Sequence, residues 1–102
     1  MAKIYAMYRQ PTDVAAFDRY YFDRHVPLAK TIPGLRSYEV TRGSIAAMGG
    51  SAPYHLIATL SFDSRAAIDV ALGSPQGKAT AGDLGNFATG GVDVLIADTE
   101  MV

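Results

Sequence analysis

Residues 2–34 read AKIYAMYRQPTDVAAFDRYYFDRHVPLAKTIPG, and two different periodicities meet inside them. Lys3-Ile4-Tyr5-Ala6-Met7-Tyr8 is rich in residues that suit a pleated surface. Pro11 bounds it, so Ala2 to Arg9 is predicted as the first strand. Its apolar residues run consecutively from Ile4 to Tyr8 instead of alternating, which predicts cover on both faces. After Pro11-Thr12-Asp13 the spacing changes. Val14, Phe17, Tyr21, His25 and Leu28 recur at intervals of three and four, the stripe of a helix. Either Thr12 or Asp13 can cap that helix by accepting a bond from an unpaired amide of its first turn. Pro27 has no N–H and disfavours helical backbone at Val26. A bend is therefore predicted near His25, with helix resuming to Lys30 and ending at Pro33-Gly34.

Working outward, Leu35 to Ser44 reads as a second strand and Ala46 to Pro53, with Gly49-Gly50-Ser51, as a loop. Tyr54 to Phe62 is a third strand. Ser64 caps a second helix carrying Ala67, Ile68, Ala71 and Leu72; Gly73-Ser74-Pro75 breaks it, and a further helical turn runs to about Leu84. Gly90-Gly91 leads into a last strand, Val92 to Ala97. Strand, helix, strand, strand, helix, strand is the split βαβ pattern. It predicts a single α+β domain over residues 1–102, a ferredoxin-like βαββαβ sandwich with a four-stranded antiparallel sheet. Helices cover one sheet face. The other face is predicted to be apolar as well and to pack on a second copy, forming a homodimer.

Composition agrees with one domain and narrows the partners. Apolar residues make up 49% of 102 residues, a surplus that a buried subunit interface absorbs most simply, a monomer with a wide apolar pocket being the competing explanation. Net charge is −1, with no basic stripe, so no nucleic-acid partner is expected. Val92 to Ala97 is too short to span a bilayer, Met1-Ala2-Lys3 leads straight into a strand, and a cytoplasmic location with no membrane contact is the expectation. The chain has no cysteine, which excludes disulfides, thiolate metal sites and Cys nucleophiles.

Tyr8-Arg9-Gln10-Pro11, Phe17 to Leu28 with its Tyr21–x–x–x–His25–x–Pro27–Leu28 core, and Ile32-Pro33-Gly34-Leu35 together resemble the EthD family. The resemblance is close over the first 40 residues and rests on length and strand order beyond them. It implies a dimeric α/β barrel. Some relatives belong to gene sets for ethyl tert-butyl ether degradation beside a cytochrome P450 system, without a settled role. Fungal relatives are dehydratases or decarboxylases of polyketides, and the wider superfamily includes cofactor-free monooxygenases, isomerases, cyclases and haem-handling proteins. A shared fold does not choose among these chemistries.

His25 is the candidate catalytic residue. It lies four residues after Tyr21 on one helical face, beside a bend, and imidazole exchanges protons near neutral pH. The structural alternative is that it satisfies carbonyls left unpaired by Pro27. Tyr8, Tyr21 and Tyr38 are expected to line an apolar pocket, as flat walls with a hydroxyl at the tip, the alternative being plain core packing. His55, beside Tyr54, and Asn86, after the second helical region, are the remaining candidate ligand contacts; packing or a surface hydrogen bond is the alternative for His55. With no His–x–x–x–His spacing, no phosphate loop and no dinucleotide motif, neither a metal nor an organic cofactor is expected. The resulting expectation is proton transfer, decarboxylation, dehydration or oxygenation of a small hydrophobic or aromatic molecule. A non-catalytic binding or accessory module for a partner oxygenase is the rival.

Overall fold

The computed structural model describes residues 1–102. Strand β1 (Ala2–Arg9) leads into helix α1 (Val14–Tyr20). Asp13 is the cap, its carboxylate accepting from the Ala16 amide at 3.0 Å, while Thr12 bonds Thr89 instead. Residues Tyr21–His25 then form a π-helical turn in which the Val26 amide donates to the Tyr21 carbonyl, five residues back, before α2 (Val26–Ala29) resumes. Pro27 cannot donate to the carbonyl four residues behind it. The wider turn absorbs the fault within the stretch where the sequence predicts a bend.

Gly34, at φ +80°, turns the chain into β2 (Ser37–Val40), which is shorter than the predicted Leu35–Ser44. Arg36 and Thr41 still donate to the Ser61 and Ile57 carbonyls on either side, but Gly43 at φ +79° turns the chain out of the sheet. The predicted loop holds a small hairpin, β3 (Ala46–Ala47) and β4 (Gly50–Ser51), outside the main sheet. Then follow β5 (Tyr54–Phe62), α3 (Arg65–Gly73) capped by Ser64, α4 (Pro75–Asp83) capped by Ser74, a 3₁₀ turn (Leu84–Asn86) and β6 (Val92–Asp98). The order across the sheet is β2-β5-β1-β6, antiparallel throughout, which is the ferredoxin-like arrangement. No helix is long and apolar enough to cross a membrane.

The helices cover the face that carries Ala2, Ile4, Ala6 and Tyr8 of β1 and Leu56, Ala58, Leu60 and Phe62 of β5, all buried. The opposite face corrects one expectation. Its centre is apolar, with Tyr5, Met7, Ile57 and Leu95, but Lys3, Glu39, Thr59 and Asp93 share it. The unbroken run from Ile4 to Tyr8 thus hides an alternation in which the second face is mixed rather than uniformly apolar.

Helices α3 and α4 meet at Gly77, where a Cβ atom would fall 2.0 Å from the Ala71 carbonyl oxygen. Backbone cannot yield there as a flexible side chain could. Gly77→Ala is expected to destabilise the fold by about 1–3 kcal/mol or more, read as a lower midpoint in urea unfolding. An unchanged midpoint would mean that the helices separate freely.

Candidate active site

The site begins with small residues in the middle of the sheet. Val40, Ala58, Ala6 and Val94 form one row across the helix-covered face, and its two central members are alanines. The neighbouring row, Tyr38, Leu60, Ile4 and Ile96, is bulky. A hollow therefore opens above Ala6 and Ala58, with a volume of about 90 Å³. Its walls are mostly apolar, with polar atoms brought by Tyr8, Tyr21, Tyr38, His25 and Thr80. Leu72 and Val94 line it and are themselves exposed (37% and 47%), which places its mouth between the α3–α4 pair and β6.

His25 closes the π-helical turn and is 4% exposed. Its Nδ1 lies 2.9 Å from Oδ2 of Asp83, at the end of α4. The other Asp83 oxygen accepts from the Tyr20 hydroxyl at 2.6 Å and from Asn86 Nδ2 at 2.9 Å. Burial alone would raise the Asp83 carboxyl, but these three bonds outweigh it and hold it below the usual carboxylate range. An ionised carboxylate only accepts, so Nδ1 of His25 carries the proton of the neutral ring. Burial lowers the imidazole from its ordinary 6.5; Asp83 opposes that shift without cancelling it. At neutral pH the ring is thus uncharged, with its lone pair on Nε2, which bonds no protein group.

Tyr8 and Tyr21 are fully buried, and the Tyr21 and Tyr38 hydroxyls meet at 2.5 Å. Burial is the main cause that pushes all three phenols above their ordinary value, so each stays protonated and able to donate. One hydroxyl of the Tyr21–Tyr38 pair donates to the other, and the acceptor keeps its own hydrogen for a third group. Tyr21 is packed on Tyr8, Phe17 and Phe87 at ring separations of 5.5, 5.7 and 5.6 Å, which leaves the phenol one position. Phe87 also meets His25 at 4.7 Å.

The EthD domain model matches residues 9–91, which takes in the π-helical turn, Tyr21, Tyr38 and Asp83. The chain belongs to the EthD family. An uncharacterised 11.0 kDa protein from the thcB-thcC intergenic region of Rhodococcus erythropolis is 38% identical to this EthD protein, over 100% of this chain and 98% of that one. The crystal structure of an EthD family protein from Bacillus halodurans superposes with a TM-score of 0.89 at 35% identity, covering 98% and 99% of the two chains. A dimeric ferredoxin-like protein of unknown function from Thermobifida fusca shares the fold at 14% identity, with a TM-score of 0.70 and 96% and 90% coverage.

Of the residues singled out in the sequence, the EthD fold brings His25, Tyr8, Tyr21 and Tyr38 to one cavity and leaves His55 and Asn86 out of it. The β1–β5 register slips between Tyr8 and Arg9, and His55 falls in that bulge. Its ring turns to α1, edge-on to Phe17 at 5.1 Å, with Nε2 2.8 Å from Asp18. Asn86 points to Asp83 and reaches the site only through it. Neither imidazole belongs to a cluster of three or more potential metal ligands. Asp83 escapes sequence reasoning, being 58 residues from His25. One signal was available: a carboxylate in the last turn of α4 opposes the helix dipole and needs a compensating partner.

Proposed function

We propose that this EthD protein catalyses proton transfer on a small, mostly apolar molecule bearing a carbonyl or phenol, with His25 as the base. The observation that carries the reading is the His25 ring, held neutral and oriented by Asp83, which lines an apolar cavity and whose Nε2 has no protein partner. His25 takes a proton from the carbon beside the substrate carbonyl, and the Asp83 carboxylate stabilises the imidazolium so formed. The oxygen that gains charge accepts the spare hydrogen of the Tyr21–Tyr38 pair, and the proton then returns to the substrate. A homodimer through the helix-free face is part of the reading. The apolar centre formed by Tyr5, Met7, Ile57 and Leu95 supports it, as does the dimeric relative of the same fold.

The test is exchange of α-hydrogens for solvent deuterium in a panel of cyclic ketones and β-diketones, followed by NMR. The wild-type protein is expected to accelerate exchange saturably. Ala58→Leu, which fills the cavity floor while keeping a hydrophobic core, is expected to abolish the acceleration. Equal acceleration by the filled variant, or none by the wild type across the panel, would sink the proposal.

A further inference from the structure

We propose that a second cleft, between the Asp18–Phe22 side of the first helical segment and residues 41–45, binds a small polar organic anion with Arg42 as its charge anchor. This cleft has a volume of about 320 Å³, larger than the His25 cavity, and shares no lining residue with it. Its lining is mostly polar, in contrast to the apolar walls around His25.

Arg42 decides the class of ligand. Arg9 pairs with Asp93 and Arg36 with Asp63, each within 2.8 Å, so those guanidinium groups are already committed. Arg42 has no carboxylate partner and no hydrogen bond, yet it is not loose: its guanidinium carbon lies 4.3 Å from the centre of the Phe22 ring. Contact with a ring face steadies the guanidinium and leaves its N–H groups unspent. A planar cation held in that way, with free paired donors, matches a carboxylate or phosphate by two parallel bonds. The loop that carries Arg42 supplies further donors. Thr41 Oγ1 already accepts from the Ile57 amide at 3.0 Å, so its hydroxyl hydrogen is free to point outward. The Ser44 hydroxyl has no partner in the protein.

Asp18 is the group that opposes an anion here. Its carboxylate is engaged with His55 Nε2 at 2.8 Å, so the imidazole N–H offsets part of its field within the same cleft. That engagement distinguishes the site from a surface where a free acid would repel the ligand. The polar lining, the free fork of Arg42 and the loop hydroxyls together favour a compact anion over an apolar molecule.

The experiment is an amide NMR titration of the whole chain with malonate, inorganic phosphate and neutral malonamide, at constant ionic strength. Malonate or phosphate is expected to move the signals of residues 41–45 and His55 saturably, with malonamide inert. The tighter of the two anions identifies the headgroup as carboxylate or phosphate. Arg42→Gln is expected to weaken the binding about tenfold, the loss of one charge-assisted contact. Arg42 is exposed, so this variant is expected to keep the wild-type spectrum away from the cleft. Equal shifts with malonamide, undiminished affinity in Arg42→Gln, or no saturable shift with either anion would overturn the proposal. None of these outcomes depends on turnover at His25.

Discussion

His25→Ala is expected to lower turnover by about 10²–10⁴-fold, the range that a positioned base contributes, while binding in the cavity is largely kept. The fold survives the change, because Asp83 retains its bonds from Tyr20 and Asn86 and is not stranded. His25→Gln is the closer control, since its amide can donate to Asp83 but cannot serve as a base. Acidification should act in the same direction as the mutation. The neutral ring is the active form and its pKa lies below 6.5, so kcat/KM is expected to fall with a midpoint below that value. Asp83→Asn removes the charge that favours the imidazolium and is expected to move this limb to still lower pH. A structural role alone would not produce that displacement.

Stability carries the same signature. In the unfolded chain His25 takes up a proton near 6.5, whereas the buried ring resists it, so stability is complete above 6.5 and is lost as pH falls towards the lower native value. His25→Gln should remove this dependence from the unfolding midpoint. A carrier without chemistry would behave differently, with altered affinity in His25→Ala and no turnover in either form.

Tyr21→Ala is expected to cost about 3–5 kcal/mol, the range for truncating a buried aromatic ring. The ring is 0% exposed and contacts Tyr8, Phe17, Phe22, His25 and Phe87, so its loss opens a void that several rigid neighbours cannot close together. Against a total of roughly 5–15 kcal/mol for a domain of this size, that is a large share. Tyr21→Phe keeps the packing and loses only the bond to Tyr38, for which about 1 kcal/mol is expected. Urea unfolding of both variants separates the two contributions. Equal midpoints would show that the hydroxyl pair, and not the ring, holds this part of the core.

The periodicities of residues 2–34, the apolar runs that follow and the Ser64 cap are sufficient for the order of helices and main-sheet strands, though not for the β3–β4 hairpin, because spacing and caps are local properties that a chain displays without its fold. The irregular turn ending at His25 is legible for the same reason, since Pro27 acts on its immediate neighbours. Polarity of the helix-free face was less legible, as Tyr5 and Met7 look like core residues wherever they stand.

Long-range geometry brings the candidate residues together. Asp83 meets His25 only because α4 packs across the π-helical turn, and the cavity exists only because Ala6 and Ala58 fall opposite each other in register. His55 carries the same imidazole as His25, but a one-residue bulge sends it to another cleft. Residue type states what a side chain is able to do; which atom it meets depends on contacts between distant segments, and no local pattern encodes them.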